Sequence, residues 1–284
     1  MIGVRRVRFR VDRVVVYATL AIFAAFAAFP LVLIVSTALK QPADARRDPF
    51  GLFTTTTLQN FADAWVQGKF GHFFTNTVWI TGATVLGVVI LSVSAGYGLA
   101  RLDFPGRTAV FFLFIVGLVI PFFSIMVPLF YQLHDMGLIG SPLAVILPGI
   151  AGVQGFGLPL GIFLMRAFFL DLPVELGEAA RIDGASEFNV FRRVMLPLAW
   201  PGVAVLAVLV FFQSWNSLLL PLLYLTGPDS RTMATGLYLF ASGRTTETAL
   251  LAAASLIMVA PVMLFYVAFQ RQFVRGVTSG ALKG

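Results

Sequence analysis

The residues best suited to chemistry form one charged cluster between two long apolar segments. Residues 175–193 read ELGEAARIDGASEFNVFRR, in which Ala and Gly interrupt acidic and basic side chains. The charged members are Glu175, Glu178, Arg181, Asp183, Glu187, Arg192 and Arg193. An enzyme site would need paired catalytic acids, a metal-ligand set or a nucleophile with its base, and the sequence has no visible set of this kind. The pattern therefore indicates contact with another macromolecule.

The cluster is predicted to fold as two short helices separated by a glycine. Asp171 is suited to cap the first helix, with Pro173 in its opening turn. Gly184 is suited to end that helix in the left-handed conformation, which glycine adopts without strain. Ser186 has the position of an N-cap for a second helix, with Glu187 in its first turn.

The first of these helices has the composition of a docking surface for another protein. Ala179 and Ala180 permit the close approach of a partner, and the charges of Glu178 and Arg181 beside them would fix the register. The alternative is an amphipathic loop that lies on lipid headgroups. Two features oppose this alternative: the helix carries only two bulky apolar side chains, and anionic lipid would repel its net negative charge.

The composition of the whole chain indicates that its solvent is lipid. Hydrophobic residues make up 58% of the 284 residues and charged residues 12%, whereas soluble domains average about 45–50% and about 25%. The chain contains no cysteine, which excludes disulfides and thiolate metal sites. Its two histidines, His72 and His134, are far apart in the sequence and are expected in polar connecting segments.

Six segments nearly free of charge are each long enough to cross a bilayer, which takes about 20 mostly apolar residues. The sequence therefore predicts an all-α integral membrane protein with six transmembrane helices and both termini on one side. The predicted spans are about 14–39, 76–100, 108–133, 143–166, 198–224 and 248–270. Residues 1–13 precede the first span, residues 171–197 form the charged loop, and residues 271–284 form a tail.

The distribution of positive charge predicts that both termini are cytoplasmic. In this orientation the outward segments hold six basic residues: Lys40, Arg46, Arg47, Lys69, Arg231 and Arg244. The other fourteen of the 20 Lys and Arg residues face the cytoplasm, as the positive-inside rule requires. This bias accounts for the net charge of +7 without nucleic-acid binding. The basic start resembles a signal peptide, but its apolar segment exceeds the about 7–15 residues of that class, so an uncleaved signal anchor is expected.

Polar residues of the fifth span are suited to line a path for a polar solute. Gln213, Trp215 and Asn216 are close in sequence, and amides and aromatic rings suit hydroxyl-rich sugars. The alternative role of the two amides is hydrogen bonding between helices, which is common in membranes. No Asp, Glu, Lys or Arg lies deep in a predicted span, which argues against a proton- or sodium-coupled carrier. The chain also lacks a GxxxxGK[ST] phosphate-binding loop.

The charged loop resembles the E-A-A loop of permease subunits from bacterial ABC importers. That loop has the form E-A-A-x-x-x-G, then nine residues, then I-x-L-P. This chain has EAA at 178–180, Gly184, and after nine residues VMLP at 194–197, with Val in place of Ile. Leu196 and Pro197 match the last two positions of the motif.

Further segments make the chain similar to the maltose-type carbohydrate permeases in particular. They are PVELGEAARIDGAS, the pair Trp215-Asn216, AGYGLARLDFPGR after the second span, and a tail with FVRG and ALKG. The resemblance runs from about Leu58 to the last residue.

This resemblance implies the type I ABC importer permease fold in a bacterial or archaeal cell membrane. It implies as partners a second permease subunit, a dimer of ATP-binding subunits, an extracytoplasmic solute-binding protein, a carbohydrate substrate and membrane lipid. In this family the loop docks into a cleft on the ATP-hydrolysing subunit. The implied coupling residues are Glu178, Ala179, Ala180, Asp183, Gly184, Leu196 and Pro197. ATP and Mg²⁺ would bind that partner, with no cofactor on this chain, and the tail at Thr278–Gly284 is implied to insert between the ATPase subunits.

Two other functions stay open at this point. A permease for glycerol phosphate or another polar solute would carry the same loop. A stand-alone channel or secondary carrier, which belongs to a different class, would move its solute without ATP or partner subunits. The sequence names neither the solute nor the partner permease.

Overall fold

The computed structural model describes residues 4–242 and 247–281, with side chains at 13–242 and 247–270. Within these ranges the protein is helical and has no strand, which confirms the all-α prediction. The helices of the N-terminal half are α1 (Val4–Leu39), α2 (Pro42–Arg47), α3 (Gln59–Gln67), α4 (Phe70–Arg101), α5 (Arg107–Gly117), α6 (Phe122–Asp135) and α7 (Leu143–Ala151). Those that follow are α8 (Leu158–Asp171), α9 (Val174–Ile182), α10 (Glu187–Asn189), a π-helical segment (Val190–Met195), α11 (Leu196–Leu198), α12 (Trp200–Trp215), α13 (Leu219–Tyr224), α14 (Met233–Ala241) and α15 (Thr248–Ala281).

Among the described residues, three helices are long and apolar enough to cross a membrane without a break. They are α1 from Arg13 onward, α4, and α15 as far as Gln270, and they match the first, second and sixth predicted spans. The third predicted span is divided between α5 and α6, and the chain bends by 96° between these two helices. A second bend, of 72°, lies between the segment Glu187–Leu198 and α12. The fourth is divided between α7 and α8. The count of six spans and the cytoplasmic position of the termini therefore stay predictions.

The described residues form two compact units. One lies within Met1–Lys69 and Leu237–Val259, and the other within Phe70–Gly236 and Ala260–Gly284. The second unit contains the charged loop and the residues of the predicted solute path. The side chains of the predicted tail 271–284 lie outside the described part of the chain.

In the first unit, side-chain hydrogen bonds form a polar network at the C-terminal end of α1. Asn60 on α3 donates from Nδ2 to the carbonyl oxygens of Ala38 and Lys40, at 2.7 Å each. The buried Lys40 donates from Nζ to the carbonyl oxygen of Asp48 at 2.8 Å. The last carbonyls of a helix have no partner within the helix, so these bonds stabilise the point where α1 ends.

In the second unit, α4 is the central helix. It packs against α7, α8 and α12. Its buried side chains Val88 and Tyr97 join Met165, Phe169 and Leu206 in one apolar cluster. The sequence from α4 to α12 is therefore organised around one helix.

Glycine allows α4 and α8 to approach closely. A Cβ atom built on Gly161 of α8 would lie 2.2 Å from Oγ and 2.8 Å from Cβ of Ser92 on α4. A Cβ atom built on Gly96 of α4 would lie 2.7 Å from Cβ of Met165. All three distances are shorter than van der Waals contact, so the separation of the two helices depends on these glycines.

The start of the charged loop differs from the prediction. Asp171 is the last residue of α8, and the residue that precedes α9 is Pro173. The prediction that Asp171 caps the first loop helix is therefore wrong. The reason is the steric restriction that a proline places on its predecessor: Leu172 is extended, with φ −74° and ψ 144°, and separates the two helices.

We expect Gly161→Ala to destabilise the second unit. The added methyl group has to displace Ser92 or move α8 away from α4, at a cost of about 1–3 kcal/mol. The midpoint of thermal unfolding in detergent should fall, measured by fluorescence-detected size exclusion, and adding Ser92→Gly should restore part of the loss.

The matched control for this variant is Gly82→Ala on α4. A Cβ atom there meets none of the described atoms within 4 Å, so its midpoint should equal or exceed that of the wild type. Equal midpoints for Gly161→Ala and Gly82→Ala would contradict the packing argument.

Candidate functional site

The first helix of the charged loop, α9, ends in a Schellman turn. It is followed by Asp183 and then by Gly184, whose φ of +81° lies in the left-handed region. The N–H of Gly184 donates to the carbonyl oxygen of Arg181, and the N–H of Ala185 to that of Ala180, both at 3.0 Å. Such a turn satisfies the carbonyls at the helix end and favours glycine at its left-handed position. The prediction that Gly184 ends the helix is confirmed.

Helix α9 has an outer and an inner face. Glu178, Ala179 and Asp183 are exposed, and the side chain of Ile182 is 86% exposed. Ala180 is half-buried and packs against the apolar cluster of the second unit. The outer face therefore combines two carboxylates with an uncovered isoleucine.

Gly177 lies where α9 contacts the π-helical segment, a contact that was not predicted from the sequence. This glycine is buried, and a Cβ atom built on it would lie 2.9 Å from Cε of Met195. Glycine inside a helix costs about 1 kcal/mol relative to alanine. Its occurrence in the middle of a nine-residue helix was the available signal of a close contact.

The second helix begins at Ser186, with Glu187 in its first turn, as predicted. The chain then continues through the π-helical segment into α11. Leu196 is half-buried and packs against the apolar cluster, whereas Pro197 is exposed in the first turn of α11. The implied coupling residues thus divide into an exposed group, Glu178, Ala179, Asp183, Gly184 and Pro197, and a half-buried group, Ala180 and Leu196.

An ion pair joins the two helices of the loop. Nε of Arg181 donates to Oε1 of Glu187 at 2.5 Å, and its Nη2 donates to Oε2 at 3.3 Å. The hydrogen bond and charge of Arg181 lower the pKa of Glu187, and the same bond raises the pKa of Arg181. The stabilisation that the ionised Glu187 carboxylate gives the folded loop is therefore present at neutral pH. It is lost only as the pH falls through the lowered pKa of Glu187. Both side chains are more than a third exposed, so solvent screens the pair.

Two arginines join the ends of α4 and α8. Arg101 donates from Nε to the carbonyl oxygen of Phe169 at 2.9 Å and also donates to that of Leu172. Arg166 of α8 donates from Nε to the carbonyl oxygen of Leu99 at 3.2 Å. Arginine near a helix C-terminus satisfies the last carbonyls and complements the helix dipole. The sequence analysis treated these arginines only as cytoplasmic charges; their position at the ends of apolar segments was the signal.

The side chain of Gln213 on α12 hydrogen-bonds backbone groups in the break between α7 and α8. Its Oε1 accepts from the backbone N–H of Phe156 at 3.0 Å, and its Nε2 donates to the carbonyl oxygen of Gln154 at 2.5 Å. Ser217 donates to Oε1 of Gln154 at 2.9 Å. The break includes Gly155 at φ +120°. Unpaired backbone groups at membrane depth need such partners, and this geometry is the interhelical role that the sequence left open for Gln213.

The other two residues of the predicted path have different surroundings. Trp215 is 2% exposed; its ring stacks on Phe211 with centroids 5.5 Å apart and meets Phe74 edge-on at 5.8 Å. Asn216 is exposed just after α12 and donates from Nδ2 to the carbonyl oxygen of Phe212 at 2.8 Å. A contact of either residue with a solute stays a prediction.

A cavity of about 350 Å³ adjoins the breaks in the helices. Its lining includes Leu118 and Ile120 between α5 and α6, Gly152 and Gln154 between α7 and α8, and Leu219 at the start of α13. Irregular backbone at membrane depth is tolerated where it lines a cavity. This cavity was not predictable from the sequence, because the breaks come together only in the folded chain.

Long apolar helices, interrupted spans around a cavity and an exposed charged loop define an integral membrane permease subunit. Residues 89–279 match the model of a protein family described as the binding-protein-dependent transport system inner membrane component. The chain belongs to this family and is a multi-pass protein of the cell membrane.

Relatives and a solved structure agree with this assignment. The diacetylchitobiose uptake system permease protein NgcG of Streptomyces coelicolor is 33% identical over 94% of this chain and 88% of its own length. The arabinooligosaccharides transport system permease protein AraQ of Halalkalibacterium halodurans is 35% identical over 93% of this chain and 94% of its own. A bacterial ABC transporter involved in the import of the acidic polysaccharide alginate matches with a TM-score of 0.80 at 22% identity, over 92% of this chain and 96% of that chain. The ABC importer permease fold implied by the E-A-A loop is confirmed.

We expect Gln213→Leu to destabilise the second unit. The substitution leaves the exposed N–H of Phe156 and the part-buried carbonyl of Gln154 without their side-chain partner, at a total cost of about 1–3 kcal/mol. The midpoint of thermal unfolding in detergent should fall. The decrease should be smaller for Gln213→Glu, which keeps the acceptor oxygen.

Asn216→Ala is the control, because this amide bonds only one carbonyl of its own helix among the described contacts. Its midpoint should stay near that of the wild type. A Gln213→Leu variant as stable as Asn216→Ala would show that the amide does not hold the break.

Proposed function

We propose that this chain is one of two unlike permease subunits in an ATP-driven importer for a carbohydrate. The two relatives described above are named for diacetylchitobiose and for arabinooligosaccharides, which supports carbohydrate as the substrate class. The family description supports delivery by an extracytoplasmic binding protein. The partner permease is a second chain of the same fold.

The observation that carries this proposal is the outer face of α9. Ile182 is largely uncovered between the carboxylates of Glu178 and Asp183, in a loop outside the predicted spans. An apolar side chain at the centre of a polar rim is typical of a protein interface. Phe188, at the start of the next helix, is a second exposed apolar side chain of the charged loop, at 66% exposure.

The occupant of this surface is a subunit of a separate ATPase dimer. ATP and Mg²⁺ bind to those subunits, and this chain binds no cofactor. Closure of the dimer on ATP displaces α9, and the spans change between inward-facing and outward-facing states. The tail Thr278–Gly284 inserts between the ATPase subunits as a second contact.

The half-buried coupling residues act through packing. Ala180 and Leu196 lie against the apolar cluster of the second unit, so they hold the docking surface on the helices that have to move. Gly184 and Ala179 present small groups to the partner, with none of the described atoms within 4 Å of a Cβ atom built on Gly184. Pro197 is exposed where the loop enters α12.

The solute path runs past the helix breaks. The cavity there has a volume of about 350 Å³, within the range of small-molecule sites. Gln213 and Asn216 pair with sugar hydroxyls when the spans move, and the Trp215 ring supplies an apolar face.

We expect Glu178→Lys and Gly184→Leu to abolish ATP-driven uptake and to leave the chain inserted in the membrane. The first variant reverses a charge at the docking surface. The second forces a branched side chain into a left-handed turn, which costs about 1–2 kcal/mol before any clash with the partner. Uptake by vesicles and the amount of ATPase subunit that co-purifies should both fall.

Gly184→Asn is the matched control, because asparagine tolerates the left-handed conformation better than other side chains. It should keep most of the uptake. Wild-type uptake by Gly184→Leu at a normal membrane level of the chain would contradict the docking assignment.

The composition of the native complex tests the proposed function directly. Purification of the tagged chain from its own membranes in mild detergent should yield an ATPase, a second permease subunit and a binding protein, identified by mass spectrometry. The binding protein can then be screened against a panel of oligosaccharides. Recovery of the chain alone, active in liposomes without ATP, would instead establish a stand-alone carrier.

A further inference from the structure

Helix α4 extends from the charged loop to the opposite end of the second unit without a break. It comprises 32 residues, which corresponds to about 48 Å at 1.5 Å per residue. Polar contacts fasten each end of α4 to a different segment of the chain. The two sets of contacts therefore lie on one continuous element.

At one end, Tyr97 ties α4 to both helices of the charged loop. Its hydroxyl donates to Oε2 of Glu187 at 3.3 Å, and the other oxygen of this carboxylate accepts from Arg181 of α9. The Tyr97 ring packs edge-on against Phe169, with centroids 5.4 Å apart, and lies tilted at 46° against Phe191, with centroids 4.9 Å apart. One carboxylate thus joins α9, α10 and α4.

At the other end, α4 holds the segment between α13 and α14. Asn76 donates from Nδ2 to the carbonyl oxygens of Asp229 at 2.7 Å and Arg231 at 3.0 Å. Thr77 accepts at Oγ1 from the backbone N–H of Met233 at 2.8 Å. This segment lies on the side of the membrane that the charge distribution predicts to be extracytoplasmic.

We propose that α4 is a mechanical link between α9 and the segment 226–233. Tyr97, Glu187 and Arg181 are its positioning residues at one end, and Asn76 and Thr77 are those at the other. The inference rests on the docking of α9 proposed above. Its consequence is that ATP bound to the partner ATPase changes the segment at the far end of α4, on the side where the binding protein delivers the solute.

The connectivity of the chain explains why this link needs side-chain contacts. The loop 171–197 follows α8 and precedes α12, so both of these helices move with it through the covalent chain. Helix α4 has no such connection. Packing against α8 and the hydrogen bonds of Arg101 to the carbonyl oxygens of Phe169 and Leu172 set its position in the unit. The Tyr97 hydroxyl in addition attaches it to the ion pair that includes α9.

A fluorescent probe on the far segment tests this proposal. The chain has no cysteine, so Asp229→Cys provides one labelling site, with the unsubstituted chain as the background for partner labelling. The complex is purified with its native partners, and the emission shift on addition of ATP and Mg²⁺ is measured. We expect a clear shift, and a decrease of about two- to fivefold in the shift when Tyr97→Phe removes one hydrogen bond and keeps the ring packing.

Tyr131→Phe on α6 is the matched control, because this tyrosine is 62% exposed and its loss of a hydroxyl should leave the shift unchanged. Asn76→Ala provides a second test from the far end. Asn76 and Tyr97 are about 32 Å apart along the helix, so independent structural defects would multiply their effects. If one link carries the signal, the double variant should match the more impaired single variant.

Three results would overturn the proposal. The first is a Tyr97→Phe shift equal to that of Tyr131→Phe, and the second is multiplied effects in the double variant. The third is the absence of a shift in the wild-type background when the ATPase is present and binds ATP. Absence of any ATPase from the preparation would contradict the proposed function and this inference together.

Discussion

Backbone hydrogen bonding in a medium without water is the constraint on which the rest of this structure depends. Wherever a helix stops or breaks, the freed carbonyls and N–H groups must find partners inside the protein. Gln213 supplies both a donor and an acceptor to the break between α7 and α8. Arg101 and Arg166 supply donors to the ends of α8 and α4. Because each of these partners comes from another helix, these bonds also join neighbouring helices of the second unit.

Backbone hydrogen bonding also gives the charged loop its defined shape, although this loop lies outside the predicted spans. Hydrogen bonds within the turn satisfy the backbone carbonyls at the end of α9. The outer face of this helix is therefore not needed for contacts within the chain and is available to a partner. The inner face is held by Gly177 against Met195 and by Ala180 against the apolar cluster. A docking helix with a rigid inner attachment can transmit displacement, whereas a loosely attached one would absorb it.

The fold was predictable from sequence to the extent that it follows from apolar length and charge. Absence of charge over about 20 residues is typical of a helix surrounded by lipid, and three of the spans predicted in this way fall on α1, α4 and α15. The bends between α5 and α6 and before α12 were not predictable, because the surrounding helices decide whether an apolar segment with Gly and Pro is straight or broken. The prediction for Asp171 was wrong for a local reason. Aspartate is a common N-cap residue, but Pro173 keeps Leu172 extended, so α9 begins only after Pro173.

For the site, the sequence by itself determined the E-A-A loop, its two helices and the glycine at its turn, because each depends on contacts within a few residues. It also determined the family, since the E-A-A motif occurs together with the flanking segments that match it. Only the tertiary structure decided which coupling residues face outward, that Gln213 holds a helix break and that Tyr97 meets Glu187. These depend on pairs about 60 to 90 positions apart in sequence, and no local pattern of residue types specifies which distant helices become neighbours.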